Sequence, residues 1–208
     1  MRTELDIDQW ERKEHYEFYT AFQESFFGLT VPIDATKAYL FCKKNGYSFF
    51  QYYLHCSLRA ANKITPFRYR IADDKVWIYD TIAASATINR PNGTFGFSYI
   101  DFSEDFKEFQ NYANAEIERV RNSTGLQPAV SGEDVIHYSS LPWLNFTAIS
   151  HARSFLFNDS CPKISFGKLT EENGKKKMPV SVHVHHGLMD GYHVGQFFEL
   201  FQQFMDAY

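Results

Sequence analysis

The sequence predicts an α+β domain, a mixed and largely antiparallel sheet covered by helices, on three observations. Stretches such as Val180-Ser181-Val182-His183-Val184 alternate apolar and polar residues with the two-residue period of a strand. Phe106, Phe109, Ala113, Ile117 and Val120 recur at steps of three and four, as on one face of a helix. Finally, 44% hydrophobic residues, with 21 Phe and 13 Tyr, give ample core material, and no repeat, linker or low-complexity stretch divides the 208 residues.

Taken in order, Asp8 with Glu11 forms a capping box for a helix from Gln9 to Phe22. At 100° per residue Asp8, Arg12, His15, Tyr19 and Phe22 share one side, so Arg12 there requires an acidic partner. Phe26 to Ile33 reads as a strand and Asp34 to Lys44 as a helix closed by Asn45-Gly46. Ser48 to Asn62 reads as a second helix, apolar on most sides and therefore deeply buried. Phe67 to Ile71 and Lys75 to Tyr79 form a hairpin around Asp73-Asp74, and Thr87 to Arg90 joins Thr94 to Asp101 through Pro91-Asn92-Gly93. Ser103 caps the next helix, which Gly125 stops. Strands return at Leu144 to Ser150, Lys163 to Leu169 and Met178 to His185, the last two joined by the polar turn Thr170 to Lys177. Val194, Phe197, Phe198, Phe201 and Phe204 or Met205 then form the stripe of a final helix beginning at Asp190-Gly191.

A net charge of -4 and a pI near 6.1 exclude the basic surface that phosphate contacts need, and no basic stripe offsets them, so no nucleic-acid partner is expected. No apolar run has transmembrane length, and Met1-Arg2-Thr3-Glu4-Leu5-Asp6 is too polar for a signal peptide; a soluble, cytoplasmic protein without a membrane partner is expected. Cys42, Cys56 and Cys161 lack any C-x-x-C pairing, which points to neither a disulfide framework nor a thiolate zinc site.

The most informative stretch is His185-His186-Gly187-Leu188-Met189-Asp190-Gly191, an H-H-x-x-x-D-G pattern between the last strand and the last helix. Strand phase puts His186 with Val180, Val182 and Val184, and Ser181, His183 and His185 on the other face. An imidazole on the apolar side loses hydration and stays neutral, as a general base must. An isolated histidine there would be a satisfied core residue; the spacing and the amphipathic helix after it favour catalysis. The density of His183, His185, His186 and His193 raises metal-dependent hydrolysis as a reading of another class. Strand phase separates His186 from His183 and His185, and no acidic or thiolate cluster accompanies them.

Three segments together resemble the chloramphenicol acetyltransferase family over nearly the whole chain: Trp10-Glu11-Arg12-Lys13-Glu14-His15-Tyr16-Glu17-Phe18-Tyr19, Ser139-Ser140-Leu141-Pro142-Trp143-Leu144-Asn145-Phe146, and His183 through His193. The last pattern alone also resembles carnitine acyltransferases and peptide-synthetase condensation domains, and dihydrolipoyl acyltransferases carry a close variant, but those proteins are usually far longer. The resemblance implies a single-domain CoA-dependent acyltransferase sandwich over residues 1–208. It implies acetyl-CoA as donor and a hydroxyl-bearing small molecule, chloramphenicol or a close relative, as acceptor, with no metal. His186 would take the hydroxyl proton during attack on the thioester, Ser139 would stabilise the oxyanion, and Arg12 would pair with Asp190 to fix the turn. Ser165, often threonine in the family, and Lys168 align near the coenzyme, whereas Lys175-Lys176-Lys177 reads as a solvated turn. Acceptor-binding positions are Phe18, Tyr19, Phe27, Phe95, Phe97, Ile149, His151 and Arg153. The family's homotrimer would set the acceptor pocket and His186 on opposite sides of a subunit interface. A non-catalytic binding module of this fold would have no reason to keep His186 and Ser139 together. The pattern departs at Gln23, Phe97, His151 and Arg153; an inward Arg153 would need a partner and would favour a polar or anionic acceptor, and an outward one would not.

Overall fold

The structure is a computed structural model describing residues 1–126, 132–153 and 159–207. The chain opens with β1 (Arg2–Glu4), a 3-10 turn at Ile7–Gln9 and α1 (Lys13–Thr20). The single helix expected from Gln9 to Phe22 is therefore split. Asp6 rather than Asp8 caps the turn, accepting the Asp8 amide at 3.0 Å. Trp10 then leaves the helical path, at ψ 125°, to pack edge-on against Tyr69. Asp8 is left to pair with Lys13 at 2.5 Å.

β2 (Phe26–Asp34), α2 (Thr36–Asn45) and α3 (Phe49–Asn62) follow the sequence pattern closely. Gly46 closes α2 at φ 71, where a side chain would be strained. Ser48 caps α3 through the Gln51 amide, and ten residues of α3 are buried, as its apolar circumference requires. β3 (Tyr69–Ala72) and β4 (Lys75–Tyr79) turn on Asp73 and Asp74 and join β1 in a three-stranded sheet. β5 (Ala83–Asn89) and β6 (Phe95–Phe97) precede α4 (Phe106–Arg121). Asp105, not Ser103, caps α4 through the Glu108 amide, because the Ser103 hydroxyl is taken by the Asp105 amide and the Glu108 carboxylate.

β7 (Val135–Ser140) was not marked as a strand by the sequence pattern. Its polar positions face a cavity rather than open water. Conversely, residues 144–150 pair with no strand among the described residues. Leu144 stands 55% exposed, and Phe146 and Ile149 are only half-buried. β8 (Lys163–Phe166), β9 (Thr170–Glu172) and β10 (Lys175–His185) complete the sheet, and α5 (Gly191–Met205) ends the fold. The polar segment between β8 and β10 is itself paired, turning only at Asn173 and Gly174, both at positive φ.

The main sheet runs β2-β10-β8-β7-β5-β6, with β9 beside β10. β7 is parallel to β5 and β8, and the remaining pairs are antiparallel, giving the mixed α+β architecture. One sheet face carries Val180, Val182, Val184, Tyr138, Ile164 and Phe166 into a core with Leu54 and Leu58 of α3 and Phe197 and Phe201 of α5. Full burial of each such side chain contributes about 1.5–3 kcal/mol. The opposite face is polar: register aligns Gly28, His183, Lys163, His137 and Ser85 in one row, and Thr30, Ser181, Ser165 and Ser139 in the next.

Candidate active site

His186 follows the last residue of β10, and its main chain is clamped from both sides. Its amide donates to the Ser25 carbonyl at 2.7 Å, and its own carbonyl accepts from Arg12 at 3.2 Å. The ring stacks on Tyr19, 3.9 Å between centroids and 8° between planes, and leans on Phe27 at 4.5 Å. Ser25 links these parts, since its hydroxyl donates to the Tyr19 carbonyl at 2.7 Å. Nδ1 of His186 is enclosed without a hydrogen-bond partner, so two aromatic faces hold the ring where a protease-like triad would use a carboxylate.

Asp190 is occupied elsewhere. Its carboxylate takes Nη1 of Arg12 at 2.6 Å and the Tyr192 amide at 3.0 Å, while Nδ1 of His193 accepts the Asp190 amide, a reciprocal cap on α5. Burial alone would raise the Asp190 pKa, but the Arg12 hydrogen bond and the neighbouring charges hold it below the usual carboxylate value. His185 points to the other face, and its Nδ1 accepts the Gly187 amide at 3.2 Å. Burial, then the charge of Arg153, pushes its pKa down to about 4, keeping this acceptor nitrogen unprotonated at neutral pH.

Ser139 belongs to a different place in the chain. Register sets it level with Ser165 and Ser181, two strands across from β10 and five residues before His186. At 3.3 Å per residue and 4.8 Å per strand that is roughly 19 Å, and the two side chains lie on opposite sides of the sheet. Ser139 opens into a cavity of about 570 Å³ that also takes in Phe95, Phe97, His151 and Arg153. The expected site residues thus form two clusters: His186 with Arg12, Asp190, Tyr19 and Phe27, and Ser139 with the cavity. Phe18 packs on Tyr19 at 5.1 Å and is largely exposed. Ile149 is half-buried, and its backbone is hydrogen-bonded to the His183 ring.

Arg153 points inward and has partners. It pairs with Glu24, lies 3.7 Å from Asp159, and spreads its guanidinium 3.7 Å over the Phe26 ring. Asp159 also takes Lys163 at 2.5 Å. Lys168 is exposed with no carboxylate partner among the described residues, whereas the Ser165 hydroxyl is wholly enclosed and unbonded. Lys175, Lys176 and Lys177 pair with Asp34, Glu171 and Glu172. Among the described residues no three His, Cys, Asp or Glu side chains are grouped to hold a metal ion. Sequence reading missed Ser25, His137, Asp159 and Lys163; the cross-strand register, invisible in one sequence, brings His137 beside Lys163, and Asp159 reaches Lys163 locally, four residues away.

The model of the chloramphenicol acetyltransferase family matches residues 1–202. The chain belongs to the chloramphenicol acetyltransferase family. A chloramphenicol acetyltransferase of Klebsiella sp is 28% identical over 99% of this chain and 94% of its own length. One of Bacillus pumilus is 31% identical over 90% of this chain and 86% of its own. A solved chloramphenicol acetyltransferase structure superposes with a TM-score of 0.91 at 32% identity, covering 99% of this chain and all of its own. Family membership makes the chain an acyltransferase, and the H-H-x-x-x-D-G turn is the part of it that presents an imidazole beside an aromatic wall.

Proposed function

We propose that this protein transfers the acetyl group of acetyl-CoA to a hydroxyl of a small-molecule acceptor, with chloramphenicol, the acceptor in its relatives' names, or a close relative of it as substrate. The observation that carries this reading is the clamped imidazole of His186, stacked on Tyr19 and tilted on Phe27. Held so, His186 accepts the acceptor's proton as the hydroxyl oxygen attacks the thioester carbonyl. The oxyanion that forms takes a hydrogen bond from Ser139. Collapse expels the coenzyme thiolate, which recovers the proton from His186, and the ester and free thiol leave. Lys168, exposed and unpaired, supplies a cation for a coenzyme phosphate, and the unbonded Ser165 hydroxyl is a polar group awaiting a partner nearby.

Because His186 and Ser139 lie roughly 19 Å apart within a chain, one reaction centre draws them from two copies, which supports the family's homotrimer. Phe18, Phe22, Leu29, Trp143 and Leu144 are large apolar residues exposed in a single copy, and β2 forms an edge of the main sheet. Residues 1–208 form one domain in this reading, supported by a core that runs from Ile33 to Met205. No described helix is long and apolar enough to cross a membrane, which suits a cytoplasmic enzyme that meets acetyl-CoA there. Release of coenzyme thiol from acetyl-CoA on adding chloramphenicol tests the assignment. Wild-type turnover that His186→Ala abolishes is the expected result; equal turnover in that variant would remove His186 from the mechanism.

A further inference from the structure

The Ser139 side chain has no hydrogen bond to a described residue, so the aim of its hydroxyl is set by the backbone that carries it. That backbone is held from the other side of the sheet. Tyr138 and Ser140, the chain neighbours of Ser139 on β7, both leave the opposite face of the strand, about 6.6 Å apart along it. The Tyr138 hydroxyl is hydrogen-bonded to Ser57 of α3 at 3.2 Å, and the Ser140 hydroxyl to Tyr53 of α3 at 3.1 Å. Tyr53 and Ser57 are one helical turn apart, so they share a face of α3, with Cβ atoms about 5–6 Å from each other. The two spacings match, and both bonds form together in one register of helix on strand. A one-residue slip of β7 would turn both of its hydroxyls away from α3.

The surroundings of these hydroxyls are apolar. Phe166 of β8 meets both phenol rings, stacked on Tyr138 with 2° between planes and tilted on Tyr53 at 4.5 Å, in the same core as Leu54 and Leu58. Ser57 is wholly buried, and Tyr53 and Tyr138 nearly so. Burial raises the pKa of both phenols, so each stays a neutral hydroxyl that can donate or accept. Apolar packing is non-directional and tolerates small slides of a helix over a strand. A satisfied hydroxyl pair in an apolar setting is directional and specifies one arrangement. An oxyanion donor needs that, because it acts only when held about 2.7–3.1 Å from where the charge develops. We propose that Tyr53 and Ser57 are positioning residues for acetyl transfer: acting through Ser140 and Tyr138, they fix the Ser139 backbone so that its hydroxyl meets the oxyanion. This rests on the acetyl-transfer reading and on Ser139 as its oxyanion donor.

Tyr53→Phe and Tyr138→Phe each delete one hydroxyl and keep the ring. Thiol release from acetyl-CoA with chloramphenicol is measured for both, in the wild-type chain and in the Ser139→Ala chain. In the wild-type chain each should lower kcat about three- to ten-fold, the range that one hydrogen bond commands, with the KM of both substrates unchanged. In the Ser139→Ala chain the same replacements should change kcat by less than about two-fold, because the donor they aim is gone. Ser140→Ala removes the Tyr53 bond from its half-buried end and should give the same result, which covers a phenol variant that fails to fold. Ser140→Thr keeps the hydroxyl and should retain most of the wild-type kcat. A loss of equal size in both chains marks a merely structural role and overturns the inference, as does a wild-type kcat in either phenol variant or a loss carried by KM; acetyl transfer is left standing. Wild-type turnover in Ser139→Ala removes the oxyanion donor, and absence of thiol release from the wild type overturns acetyl transfer itself; either takes the inference with it.

Discussion

Replacing Ser139 by alanine should lower kcat about 100-fold with little change in the KM for acetyl-CoA, because a donor aimed at the oxyanion acts in the transition state and not in the ground state. A melting curve distinguishes this from a folding defect, which would also lower the apparent kcat and leave KM alone. Arg12→Ala removes two donors from the turn, one to Asp190 and one to the His186 carbonyl. The expected cost is about 2 kcal/mol in denaturant unfolding, with activity falling in parallel; it is moderated because the Asp190 side chain keeps 35% of its surface in water. His186 and Asp190 were legible in the sequence because a strand period and a helix start are local signals, whereas the helix whose phase singled out Arg12 is split and Arg12 stands just before α1. His137 was not legible. It gains its meaning from Ser85 and Lys163, residues 52 and 26 positions away that only the sheet register sets beside it.

Among the elements, β10 shows how a strand can serve both faces of a sheet. Its valines fill the core while Ser181, His183 and His185 build the polar side, and β2 must pass close enough to accommodate an imidazole there. Gly28 makes that possible: a Cβ at this position would lie 2.4 Å from the His183 ring. Gly28→Ala should therefore displace His183 and with it His151, destabilising the protein by about 1–3 kcal/mol; unchanged unfolding midpoints would show that the ring moves aside freely. The same alternation explains which elements the sequence disclosed. α2, α3, α5, β2 and β10 each have a core face, and α2 and α5 have a clear boundary, a stop at Gly46 and a start at Asp190. β7 hides because its outward residues, His137 and Ser139, face a cavity that only the folded sheet creates, while residues 144–150 alternate like a strand yet pair with none among the described residues.

Across the whole molecule, desolvated histidines tie stability to pH. His137, His151 and His185 each have a pKa pushed down to about 4, chiefly by desolvation. In the unfolded chain they titrate near 6.5, so between about 6.5 and about 4 the unfolded state binds more protons than the folded one. Stability should be fullest above this window and fall steadily as pH is lowered through it. Below it, protonation of Asp190, whose folded pKa is depressed, removes the stability contributed by its pair with Arg12 as well. Melting temperatures measured from pH 7.5 to pH 4 check this; a flat profile would contradict it.

The largest-scale feature is that His186 and Ser139 stand on opposite sides of the sheet, so the proposed mechanism requires each centre to be drawn from two copies of the chain. Unfolding and refolding an equal mixture of the His186→Ala and Ser139→Ala proteins tests this directly. Random reassembly into closed rings would pair an intact His186 with an intact Ser139 at about one interface in four, since each side is intact half of the time. Thiol release should then rise to roughly a quarter of the wild-type rate, far above either parent; a mixture no more active than the average of its parents would show that one chain holds the whole site.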